Sequence, residues 1–184
     1  MMNKFFTTTL ASLTVLALSV TLPAFAAAPT DSISAQSKSD PANRPVIGLQ
    51  YQGPIKAVYQ CTRDEWKEGV SKPLLYLKKL RGYYAKQGID PEQLDLRAVF
   101  HGDASAHVLT DEAWNRVKHT DTGNPNTKLL AELKQMGVHV EFCDSRRQKE
   151  GWAKADIHPD VMLAEAAFAR VIDLQHQGYA YIRF

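Results

Sequence analysis

The residues of this chain best suited to covalent chemistry are its two cysteines, Cys61 and Cys143. Cys143 lies within Val138 to Arg147, VHVEFCDSRR, where Val138, Val140 and Phe142 alternate with His139 and Glu141 as in a half-buried strand. The thiol therefore sits where a strand gives out. Asp144 and Ser145, both good N-cap residues, follow it, and then Arg146 and Arg147. A helix beginning there surrounds the sulfur with free amide groups and two guanidinium groups, which favour the thiolate. The chemistry on offer is thiolate exchange at sulfur. The competing reading of Cys143 is an inert buried thiol or half of a structural disulfide, and residue type alone does not choose between them.

His101 and Asp103, leaving another strand in the sequence His101-Gly102-Asp103, are the further candidates for this site. With His107 and the two cysteines they include the residue types that bind zinc or copper, but no pair has a recognised metal-ligand spacing, and a metal is not expected. After the first strand stands CTRDEW rather than a glycine-rich phosphate loop, which counts against nucleotide or flavin. No cofactor is expected. Asp64-Glu65 and Asp111-Glu112 are explained first by capping and the helix dipole at helix starts.

Alternating elements position these residues. Ile55 to Cys61 reads as the first strand, and Val46 to Tyr51 as an added edge strand. A helix carrying Leu74, Leu77, Leu80, Tyr83 and Tyr84 follows, starting near Ser71 or Lys72 so that Pro73 falls in its first turn. Leu94 to His101 is the second strand. Ser105 to Gly123 is weakly patterned, with one or two short helices. Leu129, Leu130, Leu133 and Met136 make the buried face of the next helix, ended by Gly137. The strand that ends on Cys143 is third, Val161 to Ala166 fourth, and Tyr179 to Phe184 fifth. Between the last two lies a helix with Phe168, Val171, Ile172 and Leu174 inward. Such alternation calls for an α/β, flavodoxin-like three-layer sandwich with a mainly parallel five-stranded sheet. The default strand order, 2-1-3-4-5, makes the first and third strands neighbours, about 4.8 Å apart. Cys61 and Cys143 then meet at one rim, either as a structural bridge or as a working redox pair.

The amino terminus sets the compartment. Residues 1–26 carry Lys4, an apolar run from Leu10 to Leu22 and a small-residue close at Ala24-Phe25-Ala26, the pattern of a secretory signal peptide. The run is short for a bilayer span, so no membrane partner is expected after cleavage, and the destination is a periplasm where thiols can be oxidised. Residues 27–45 read as a flexible linker and 46–184 as one domain. The mature chain keeps twenty-one Lys and Arg against twenty Asp and Glu, a balance that argues against nucleic acid.

From Phe100 onward the chain resembles the DsrE/DsrF-like family, in its YchN type. The likeness is carried by His101-Gly102-Asp103, by NPNTKLLAELKQMGVHVEFC, and by the terminal helix leading into GYAYIRF. The resemblance implies a flavodoxin-like fold, assembly into trimers or hexamers, and a cysteine that passes sulfur as a persulfide between donor and acceptor proteins. Cys143 matches the cysteine after the third strand of that pattern. Many members of this type have Cys-Gly-Gln where this chain has Cys143-Asp144-Ser145, and Cys61 is not part of the general pattern. Two functions are therefore set against each other. One is a periplasmic sulfur carrier or thiol-redox protein, with Cys143 as acceptor, Cys61 as resolving thiol, and His101, Asp103, Arg146 and Arg147 around them. The other is a non-enzymatic homo-oligomeric binding or scaffold module with a structural disulfide.

Overall fold

The structure is a computed structural model that describes residues 41–184. The expected signal peptide and all but the end of the expected linker lie outside the described residues. The chain divides into two units, residues 1–46 and 47–184. The described part of the first holds one 3-10 turn, Pro41–Asn43.

In the second unit residues 47–54 form no strand, so the added edge strand expected at Val46 to Tyr51 is absent among the described residues; Ile47 and Tyr51 stand exposed. The sheet begins with β1, Ile55–Cys61, buried from Ala57 to its end. A two-strand antiparallel hairpin follows, β2 (Trp66–Lys67) and β3 (Val70–Ser71). Its two turn residues, Glu68 and Gly69, both have positive φ, as a tight hairpin turn demands. Helix α1, Lys72–Lys86, starts at the N-cap Ser71 with Pro73 in its first turn, where a missing N–H costs nothing. The chain continues through β4 (Leu94–Phe100), a 3-10 helix over Gly102–Val108, and α2 (Asp111–Lys118), capped by the Thr110 hydroxyl accepting from the Ala113 amide. Then come α3 (Thr127–Gln135), β5 (His139–Cys143), α4 (Asp144–Lys149), β6 (Val161–Ala164), α5 (Ala167–His176) and β7 (Ala180–Arg183).

The five main strands are all parallel and lie in the order β6-β5-β4-β1-β7. This is a flavodoxin-like α/β sandwich, but not in the expected 2-1-3-4-5 order. From β1 the chain steps one strand at a time in one direction, to β4, β5 and β6. Helix α5 then carries it back across the sheet to the far edge beside β1. Crossovers of one hand moving in one direction deliver their helices to one face, and the returning helix takes the other.

The two faces differ in depth. On one, Tyr59, Cys61, Leu96, Phe100, Val140 and Phe142 pack with Leu74 and Leu77 of α1 and Leu129, Leu130 and Leu133 of α3. Each leucine buried here contributes roughly 2 kcal/mol. On the other, only Val58, Val99, Cys143 and Tyr179 meet Ala167, Val171 and Leu174 of α5. Phe168 and Ile172, expected to point inward, are exposed, because the α5 face turned to the sheet is the one carrying Ala167, Val171 and Leu174.

Candidate functional site

Cys143 is the last residue of β5 and the N-cap of α4. The strand's alternation sends Val140 and Phe142 to the α1/α3 face and Glu141 and Cys143 to the α5 face. The sulfur thus meets the start of the long return helix. The Ala167 amide, first in α5, donates to Cys143 Sγ at 3.3 Å, and Ser145 Oγ lies 3.1 Å from the same sulfur. Ser145 is anchored in turn, its amide donating to the Glu165 carbonyl at 3.1 Å. Cys143 is 6% exposed and borders a cavity of about 350 Å³.

The opposite wall of that cavity comes from β4. His101 follows the strand's last residue and lines the cavity together with Gly102, Arg146, Lys149 and Phe168. The ring stacks edge-on against Phe168 at 5.0 Å, and its Nε2 is 2.9 Å from Gln60 Nε2. Burial, reinforced by the positive charges of Arg146 and Arg183, pushes the His101 pKa below its usual value and keeps the ring neutral near pH 7. Gly102 is needed where it stands: its φ is +63°, and a Cβ there would come within 3.0 Å of the Thr62 carbonyl oxygen. Arg146 pairs with Glu150 at 2.7 Å, and its buried Nε has no hydrogen-bond partner among the described residues.

Three expected members stand elsewhere. Arg147 is turned away from the cavity: its Nε donates to Asp144 Oδ1 at 2.6 Å and its Nη1 to the Trp152 carbonyl at 2.5 Å, tying α4 to the turn beyond it. Asp103 is exposed and its side chain does not line the cavity; its amide donates to the Thr62 carbonyl at 2.9 Å.

Cys61 requires a correction. The register runs Cys61 beside Phe100 and Phe100 beside Phe142, so β4 separates the two cysteine-bearing strands. Two strand spacings, roughly 9–10 Å, exceed the reach of a disulfide. The side chains also leave the sheet on opposite faces. Both cysteines are free thiols, which removes the structural disulfide and the redox pair together. Cys61 is fully buried among apolar groups, its thiol donating to the Tyr59 carbonyl at 3.7 Å, and burial pushes its pKa well up.

His107 does not join His101. It is buried on the other face, with Nδ1 2.8 Å from Ser71 Oγ and Nε2 2.7 Å from Asp64 Oδ1. Among the described residues no three His, Cys, Asp or Glu side chains converge as a metal site. The sequence reading missed Gln60 and Tyr181, which support His101, and Lys149 and Phe168, which line the cavity. The signal for Gln60 was present, since it is the lone amide in an otherwise apolar run from Ala57 to Cys61.

The model of the DsrE/DsrF-like family matches residues 77–184. Among solved structures, MTH1491 from Methanobacterium thermoautotrophicum, a protein of unknown function, superposes with a TM-score of 0.53 at 19% identity, covering 71% of this chain and 99% of its own. The YchN protein of E. coli gives a TM-score of 0.49 at 15% identity, covering 71% of this chain and 100% of its own. No curated protein matches the chain.

Proposed function

The chain belongs to the DsrE/DsrF-like family, and on that footing we propose that it is an exported, periplasmic sulfur carrier in which Cys143 works alone. The observation that carries this reading is the placement of the Cys143 sulfur: at a cavity of about 350 Å³, receiving the Ala167 amide and flanked by the Ser145 hydroxyl. With Cys61 sealed on the other side of the sheet, no internal thiol can resolve a bond formed at Cys143. A carrier needs none.

In the uptake step the Cys143 thiolate attacks the outer sulfur of a donor persulfide. A bond forms between the two sulfurs, the donor's own sulfur–sulfur bond breaks, and its electron pair leaves as the donor thiolate. The proton of the transferred sulfur stays with it, and no oxidant is consumed. Delivery to an acceptor protein is the same step run outward. Arg146 and Lys149 on the cavity wall suit the negative charge of donor and product. The same reading includes assembly with further copies of the chain, supported by the exposed apolar side chains of α5 and of the edge strand β6.

Incubation of the full chain with glutathione persulfide is expected to add one sulfur atom, measured by intact mass. Cys143→Ser should abolish the gain and Cys61→Ala should keep it. A gain that survives Cys143→Ser, or none at all in the parent, ends the proposal. Export is checked by N-terminal sequencing of the protein recovered from the periplasm of an expressing cell, where a mature start at Ala27 is expected; retention of Met1 would count against it.

A further inference from the structure

His101 is the end of a short polar chain that crosses the α5 face of the sheet. Tyr181, on β7, donates its hydroxyl hydrogen to Gln60 Oε1, and Gln60 Nε2 lies 2.9 Å from His101 Nε2. Gln60 is 9% exposed and held on the inner strand β1, between β4 and β7. A carboxamide has one accepting end and one donating end. With Oε1 accepting from Tyr181, the end facing His101 is the NH₂ group, which donates. His101 Nε2 must then accept, so it carries no proton, and the single N–H of the neutral ring sits on Nδ1. An imidazolium would set N–H against NH₂ at that contact. Arg146 from α4 and Arg183 from β7 oppose the extra charge as well.

We propose that Gln60 and Tyr181 are positioning residues that fix His101 as the Nδ1–H tautomer, making its ring a hydrogen-bond donor to the thiolate leaving the Cys143 cavity. The role rests on the carrier reading above; the tautomer does not. Nε2 is taken by Gln60, so Nδ1 is the nitrogen left for a guest in the cavity that His101 lines. When the donor's sulfur–sulfur bond breaks, the electron pair leaving on its sulfur accepts a hydrogen bond from Nδ1–H, and the ring gives up no proton. The opposite tautomer would present a lone pair to that anion and repel it. His101 is therefore not the base that activates Cys143.

Long-range proton–nitrogen correlation spectra of the ¹⁵N-labelled full chain test this, with His101 assigned by its loss in His101→Gln. The wild-type ring is expected to show an unprotonated Nε2 and a protonated Nδ1 at pH 7. Tyr181→Phe frees the amide to turn over, so the His101 signals should move toward the Nε2–H form, while sulfur uptake from glutathione persulfide slows about tenfold, the worth of one hydrogen bond to a charged group. Gln60→Glu, which offers only acceptors, should place the proton on Nε2 outright. If that buried carboxylate prevents folding, Tyr181→Phe on the edge strand carries the test alone. A wild-type ring protonated on Nε2, or a Tyr181→Phe ring indistinguishable from wild type, overturns the proposal. A chain with the Nδ1–H ring that takes up no sulfur supports the tautomer and sinks the carrier reading instead.

Discussion

Glu141 shows how much the thin side of the sheet depends on single residues. Its carboxylate is 4% exposed, two positions before Cys143 on the same face, and it accepts from Arg97 Nη1 at 3.1 Å and from Arg170 Nε and Nη2 at 2.6 and 2.9 Å. Arg97 also donates to Asp95 and to the Tyr179 hydroxyl, and Tyr179 donates to Asp95. Burial raises the Asp95 pKa, but the bonds from Arg97 and Tyr179 outweigh it and hold the carboxyl below its usual range. Arg170 belongs to α5, so this network fastens the helix where few apolar side chains do. A buried charge stripped of its partner is costly. Glu141→Ala is expected to destabilise the fold by ~3 kcal/mol, read from the urea midpoint. A change within a few tenths of that of a surface substitution would show that the network is ornamental to stability. The sequence displayed Glu141 only as the polar half of an alternating pattern, which predicts a solvated face. Its burial follows from α5 closing over it, which no local pattern announces.

At the scale of elements, most of the strands and helices were legible, because each is written in the period of its own apolar residues. Pro73 even located the start of α1. The strand order was not legible, since periodicity describes an element and is silent on which edge the next crossover seeks. The expected meeting of Cys61 and Cys143 failed on that order and on side-chain direction: both do end parallel strands, but β4 lies between them and the two sulfurs face opposite sides of the sheet. The β2–β3 hairpin was missed because two-residue strands carry no period, although Glu68-Gly69 is a readable turn pair. Helix α5 raises a further expectation. Phe168 is 67% and Ile172 54% exposed, one turn apart on its outer surface, and Met162 and Leu163 are exposed on the edge strand before it. Burying such side chains against another copy is worth roughly 2 kcal/mol each. The double variant Phe168→Glu, Ile172→Glu should sediment as a smaller species than the parent, with an unchanged far-ultraviolet circular dichroism spectrum. Identical sedimentation of the two would place assembly on some other surface or deny it.

For the molecule as a whole, the histidines make folding sensitive to mild acid. Burial lowers the pKa of His101, His107, His139 and His158 in the fold, and for His107 the hydrogen bond to Asp64 offsets only part of the effect. Below about pH 6.5 the unfolded chain binds protons that the folded chain refuses, so stability is full above that pH and falls as the pH descends toward the lowered values. Asp64 and Asp95, also lowered in the fold, remove stability only in the more acidic carboxylate range. The urea midpoint should therefore drop between pH 7 and pH 5, and less steeply in His107→Gln; a midpoint flat across that interval would contradict the assignment. The two thiols, on opposite faces of the sheet and two strands apart, have an experimental consequence of their own. Cys143 borders a cavity, whereas Cys61 has no exposed surface. A slow alkylating reagent should thus mark the first in the native ensemble and the second only in molecules whose sheet has come apart. One polypeptide thereby carries its own pair of clocks, one timing the breathing of the site and the other the rarer loss of the entire fold.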